Sequence, residues 1–134
     1  MKKVSLLLGL LLVFVATTMV ACKPKKVVAT EGTVCISVIE KEDCNTLLEY
    51  MQILEDAGEL TFEHQDGFVT SINGRANTDN GYWLLYTDIT EKTLATSDFT
   101  YEYQGKTLNS ALYGAAEMPI LRNQIYVWVY SVFE

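Results

Sequence analysis

From Val4 to Ala21 the chain runs for 18 residues without a charge, and Leu, Val, Ala and Phe dominate the run. Lys2 and Lys3 stand before it. A positive start followed by a short apolar stretch is the pattern of a secretory signal. The length lies near the lower limit for a membrane-spanning helix, so an uncleaved anchor is the competing reading. Either way the stretch is not part of a globular core. Setting residues 1–21 aside leaves 113 of the 134 residues, enough for one core and no second domain.

The run ends in Met19-Val20-Ala21-Cys22. A small residue before a Cys, with apolar residues two and three before it, resembles the lipobox of bacterial lipoprotein precursors. The resemblance implies cleavage after Ala21, a diacylglycerol joined to the Cys22 sulfur, and a protein held on the extracytoplasmic face of the cell membrane. Two or three acyl chains suffice for such anchoring, at about 0.8 kcal/mol per buried methylene. Lys23-Pro24-Lys25-Lys26 follows, so residues 22–31 read as a lipidated tether and 32–134 as the folded domain. The basic tether also favours anionic headgroups.

The whole chain carries a net charge of −7, and without Lys2 and Lys3 it carries −9. Acidity of this degree excludes nucleic acid as the expected partner, because phosphate binding needs a cationic face. Beyond Cys22 there are two cysteines, Cys35 and Cys44. In an exported protein they either close a small disulfide loop or stay as two buried thiols. No metal is expected, because the one histidine, His64, does not cluster with them.

Thr33 to Ile39 alternates, with Val34, Ile36 and Val38 on one side, and predicts a strand. Asn45 or Asp43 can cap a helix after it, and Thr46 with Glu49 has the spacing of a capping box. Leu47, Tyr50, Met51, Leu54 and Ala57 form its apolar stripe, and Gly58 is the expected stop. Asp66-Gly67 between two alternating runs predicts a tight hairpin. Tyr82–Thr87, Thr100–Tyr103 and the long run Ile125–Phe133 predict further strands. Residues 89–97 read as a connection, and 108–117 as a loop or one helical turn. The expected fold is α+β: a small mixed β-sheet with one amphipathic helix, β-grasp-like, with the last strand central.

Several segments together resemble one family. They are Asp66-Gly67-Phe68-Val69, Ser71-Ile72-Asn73-Gly74, Gly81-Tyr82-Trp83-Leu84-Leu85-Tyr86, Ser110-Ala111, Gly114, Pro119 and Tyr126-Val127-Trp128-Val129-Tyr130. With the Leu-rich helix, their order is similar to the transcobalamin-like C-terminal domain. This module is carried by bacterial lipoproteins of unknown function and is related to the smaller domain of transcobalamin and intrinsic factor. The resemblance spans nearly all of 32–134. It implies a β-rich module that contacts cobalamin or a related corrinoid. The animal relatives add a helical barrel, which this chain lacks. A domain of this size therefore covers only part of such a ligand, and a vitamin transporter in the same membrane is the expected partner.

Tyr and Trp suit a flat ligand, since each joins a wide apolar surface to a polar tip. Tyr82, Trp83, Tyr86, Tyr101, Tyr103, Tyr113, Tyr126, Trp128 and Tyr130 are the ones in view. Tyr82 and Trp83 point to opposite faces of a strand, so one is accessible. Trp128 and Leu84 read as core. Two loops are candidates, 75–79 between Asn73-Gly74 and Asn80-Gly81, and 108–117 with its small residues. The candidate ligand-binding residues are Asn73, Tyr82, Trp83, Ser110, Tyr113 and Glu117. No catalytic set is present: there is no strained Ser motif, no phosphate loop and no paired carboxylates, and His64 reads as solvated. The chain is thus expected to be no enzyme and to carry no cofactor beyond a corrinoid ligand. The alternative is a protein-interaction or cell-envelope structural module with no small ligand.

Overall fold

The computed structural model describes residues 26–40 and 43–134. The apolar run Val4–Ala21, expected as a signal, and Cys22, expected as the lipidation site, lie outside the described residues. Strands β1 (Val27–Thr30) and β2 (Thr33–Ser37) form an opening hairpin, and helix α1 (Leu47–Asp56) follows. Then come β3 (Phe62–Gln65), β4 (Phe68–Ile72), β5 (Arg75–Ala76), β6 (Gly81–Thr87), β7 (Ala95–Tyr103), β8 (Lys106–Ala111) and β9 (Ile125–Val132). Six strands make one sheet in the order β1-β2-β9-β6-β8-β7, and β3-β4-β5 make a second. Among the described residues the fold is α+β, mostly strand with one short helix.

Three expectations are corrected. Each pairing in the two sheets is antiparallel, so neither sheet is mixed. Val27–Thr30, expected in the tether, pairs with Ile36 to Thr33 as an edge strand, and Val27 is buried. Of the expected connection 89–97 and the expected loop 108–117, residues 95–97 and 108–111 belong to the β7–β8 hairpin. The last strand is interior, between β2 and β9's other neighbour β6.

The capping-box spacing works at Thr46. Its side chain accepts from the Glu49 amide at 3.3 Å, and α1 stops before Gly58 at φ +77°. The first helical amides of Leu47 and Leu48 donate to the carbonyls of Met118 and Ala115. Leu47, Tyr50, Met51 and Leu54 turn inward. They join Val34 and Ile36 of β2, Tyr126 and Trp128 of β9, Trp83 and Leu85 of β6, and Phe62, Val69 and Ile72 of the small sheet. This is the main core, on one face of the six-stranded sheet. Asp66-Gly67 forms the predicted two-residue turn with both φ positive, as a type I′ hairpin requires. Gly67 has a second constraint, since a Cβ there would overlap the Ala116 methyl.

Candidate functional site

The other face of the sheet holds a separate, smaller cluster. Alternation along each strand sets it. Tyr82, Leu84 and Tyr86 of β6 stand opposite Ser131, Val129 and Val127 of β9. Val129, Val127 and Ile125 stand in turn opposite Thr33, Cys35 and Ser37 of β2. The edge of β8 adds Ser110 opposite Tyr86. Cys35, Leu108, Val127 and Val129 are buried here, ringed by half-buried Tyr86, Tyr101, Tyr103 and Ile125.

What buries them is the β7–β8 hairpin. A register shift between Thr96 and Thr100 bends β7 before Tyr101 pairs with Leu108. Such an irregularity increases local twist and re-aims the strand. Tyr101 then lies against Tyr86, with ring centroids 5.5 Å apart. The hairpin tip, Gln104-Gly105, turns with both φ positive. Tyr103, Gln104 and Lys106 of the tip line a cavity of about 150 Å³ together with Cys35, Ser37 and Ile125. Clefts for drug-sized ligands run about 300–1,000 Å³, so the cavity itself takes only a small group.

Burial pushes the Cys35 thiol up, and the side chains of Tyr103 and Ser37 within hydrogen-bonding reach offset part of that rise. A thiol raised this way is a poor nucleophile at neutral pH. Burial likewise pushes the Tyr103 hydroxyl up to about 12, with Cys35 adding to the effect. Both groups are neutral under ordinary conditions. The cavity wall is therefore uncharged save for Lys106, and its polar atoms are neutral donors and acceptors. Among the described residues no group of three or more His, Cys, Asp or Glu is placed to hold a metal ion.

The residues proposed from sequence do not come together. Asn73 sits at a tight turn of the small sheet, where its side chain accepts from Thr61 N at 3.0 Å. Tyr82 is exposed and its hydroxyl donates to Asp79 O, whereas Trp83 is buried on the helix face and donates to Arg75 O at 2.8 Å. Ser110 lies on the tyrosine face beside Tyr86 and donates to Thr96 O. Tyr113 and Glu117 are exposed on the segment whose Ala115 and Met118 carbonyls cap α1. That segment serves the helix, which accounts for its small residues. Loop 75–79 is likewise structural: Arg75 stacks on the Tyr130 ring at 3.8 Å, and Asn77 accepts from Trp83 N. Gly81 opens β6 without a positive φ and is small because the Tyr130 hydroxyl passes beside it.

The disulfide is not formed. Cys35 and Cys44 are both buried thiols in different clusters, one on the tyrosine face and one in the main core. The sheet lies between those clusters. His64 is exposed, and its Nδ1 accepts from Gly67 N within the hairpin. Sequence reasoning placed Cys35 in a possible disulfide and not on a cavity wall, and it missed Lys106 and the grouping of Tyr86, Tyr101 and Tyr103. Two-residue spacings, Tyr82-Leu84-Tyr86 and Tyr101-Tyr103, carry part of that signal.

Comparison with profiles of known protein families, with curated proteins and with solved structures finds no match in any of the three.

Proposed function

We propose that the chain is a lipid-anchored, non-catalytic binding module on the extracytoplasmic face of the membrane, and that its ligand lies against the tyrosine face. The carrying observation is the paired rings of Tyr86 and Tyr101 beside a cavity lined by Tyr103, Ser37 and Lys106. Flat aromatic surface next to a few polar tips suits a planar ligand with polar side groups. Cobalamin or a related corrinoid has that character, and the sequence resemblance points the same way. The small cavity accepts a side group at most, so a vitamin transporter in the same membrane completes the site. The fold reading that goes with this proposal is β-grasp-like: an opening hairpin, one covering helix and an interior final strand.

Titration of the mature chain with cobalamin and with cobinamide, followed by absorbance, tests the reading. Binding that weakens at least tenfold in Tyr86→Ala supports it. No binding at high micromolar ligand, alone or with the transporter, contradicts it.

A second reading, a protein-interaction or envelope module without a small ligand, draws on exposed apolar residues. Phe99 on the β7 edge strand is 71% exposed and Phe68 is 60% exposed. Recovery of one membrane partner by the wild-type lipidated chain, lost in Phe99→Ser, would favour it.

A further inference from the structure

The described chain enters the six-stranded sheet at one particular end. Lys26 O accepts from Ser37 N at 2.8 Å, immediately before β1 begins. Ser37 also lines the cavity, together with Tyr103, Gln104 and Lys106 of the β7–β8 tip. Val38 N donates to Gln124 O, and Asn123 N donates to Val38 O, so loop 121–124 is at the same end. Leu121 and Ile39 are each 37% exposed there, and Gln104, Gly105, Lys106 and Arg122 are exposed beside them.

Covalent reach makes this end special. Four Cα steps separate Cys22 from Lys26, a span of at most about 14 Å. The eight residues of β9 run about 26 Å. Asn80, whose carbonyl accepts from Phe133 N just past β9, therefore stands well beyond the reach of a lipid on Cys22, and the Glu31-Gly32 turn, level with Tyr130, stands about 16 Å up the sheet from Lys26. Charge agrees with reach. Eight Lys and Arg follow Cys22, and five of them, Lys23, Lys25, Lys26, Lys106 and Arg122, lie in the connection or at this end. The mature chain is otherwise strongly acidic. Of the carboxylates here, Asp88 accepts from Ile125 N at 2.9 Å, Glu102 accepts from the Thr107 hydroxyl beside the tip, and Glu40 lies next to Ile39.

We infer that the chain stands on an anionic bilayer on this end, with the Tyr103–Lys106 tip and the Leu121–Arg122 loop against the headgroups. The inference rests on the lipid-anchor reading above. Tyr and Lys are side chains suited to that depth, one amphipathic and one able to extend its charge toward phosphate. Cations within a Debye length of an anionic surface, about 8 Å at physiological salt, add attraction that the lipid alone does not supply. The stance holds the tyrosine face beside a membrane partner.

Amide hydrogen exchange on the full-length chain, purified from the membranes of a bacterial host, tests it. The chain is compared in detergent and in vesicles of phosphatidylglycerol and phosphatidylcholine. Severalfold slower exchange of 103–106 and 121–124 on vesicles is expected, with 30–33 and 79–82 unchanged. The paired substitution Lys106→Glu and Arg122→Glu should remove most of that protection while leaving the chain on the vesicles. Equal exchange at both ends, or protection of 30–33, overturns the stance. Mass measurement of the peptide containing Cys22 separates the two ideas. A chain without a diacylglycerol overturns the anchor reading and the stance with it. A lipidated chain lacking the protection overturns the stance alone.

Discussion

The two faces of the six-stranded sheet are built by the same strands and do different work. On one side, Tyr126 and Trp128 of β9 meet Leu47, Tyr50, Met51 and Leu54 of the helix, and the side chains are closed off from water. On the other, Val127 and Val129 of that same strand meet a hairpin that bends over them and leaves Tyr86, Tyr101 and Tyr103 half-buried. The helix face seals apolar surface with an element made for the purpose. The tyrosine face seals it with a strand pair that also presents hydroxyls and a cavity. One face is thus sealed from water, and the other is left half-open, as the proposed contact there requires.

The contrast is sharpest in truncations. Leu47→Ala removes a fully buried side chain under the helix, and a loss of about 2–5 kcal/mol is expected in urea unfolding. Tyr101→Ala on the other face should cost less than half as much. Equal losses would break the distinction between a sealed and a half-open face.

Alkaline pH tests the comparison next. Burial pushes Tyr126 up to about 12 from an ordinary value of 10.0, and its hydroxyl donates to Pro119 O at 2.7 Å while accepting from Leu121 N. A raised pKa means the native state holds its proton longer than the unfolded chain does. The stabilisation is full below pH 10 and is lost as pH rises from there toward 12. A rise of this size corresponds to on the order of 2–3 kcal/mol. Tyr126→Phe should flatten that fall in denaturant titrations run across this window. Tyr103→Phe, on the more open face, should flatten it less.

Smaller effects follow. Thr46→Ala should cost about 1 kcal/mol, because the Glu49 amide loses its acceptor at the helix start. A double-mutant cycle on Tyr86 and Tyr101 should give a coupling of about 0.5–1.5 kcal/mol, the range for an aromatic pair. A coupling near zero would mean that the hairpin rests on the sheet without being held by these rings.

The faces also differ in how well they could be read from sequence. The helix face was legible because its signals are local: alternation in Val34 and Ile36, a three-and-four spacing from Leu47 to Leu54, and Asp66-Gly67 at a tight turn. The strand β1 was not, since four residues after a basic segment carry no period, and β2 is what orders them. Lys106–Ala111 has one apolar anchor, Leu108, and becomes a strand through its partners on both sides. The site was harder still. Cys35 and Tyr103 share a cavity because the hairpin bends at its register shift, and that bend leaves no period in the sequence. The small residues of 108–117 made that loop a candidate for a ligand, but what lies against them is Gly67 and the start of the helix.

The central claim is that contact belongs to the tyrosine face. Mapping amide shifts of the mature chain during titration with cobinamide tests it most directly. The account predicts changes gathered at Cys35, Tyr86, Tyr101, Tyr103 and Ser110, with the amides of helix 47–56 still. Changes centred on that helix and on 112–118, or none at high micromolar ligand, would contradict it.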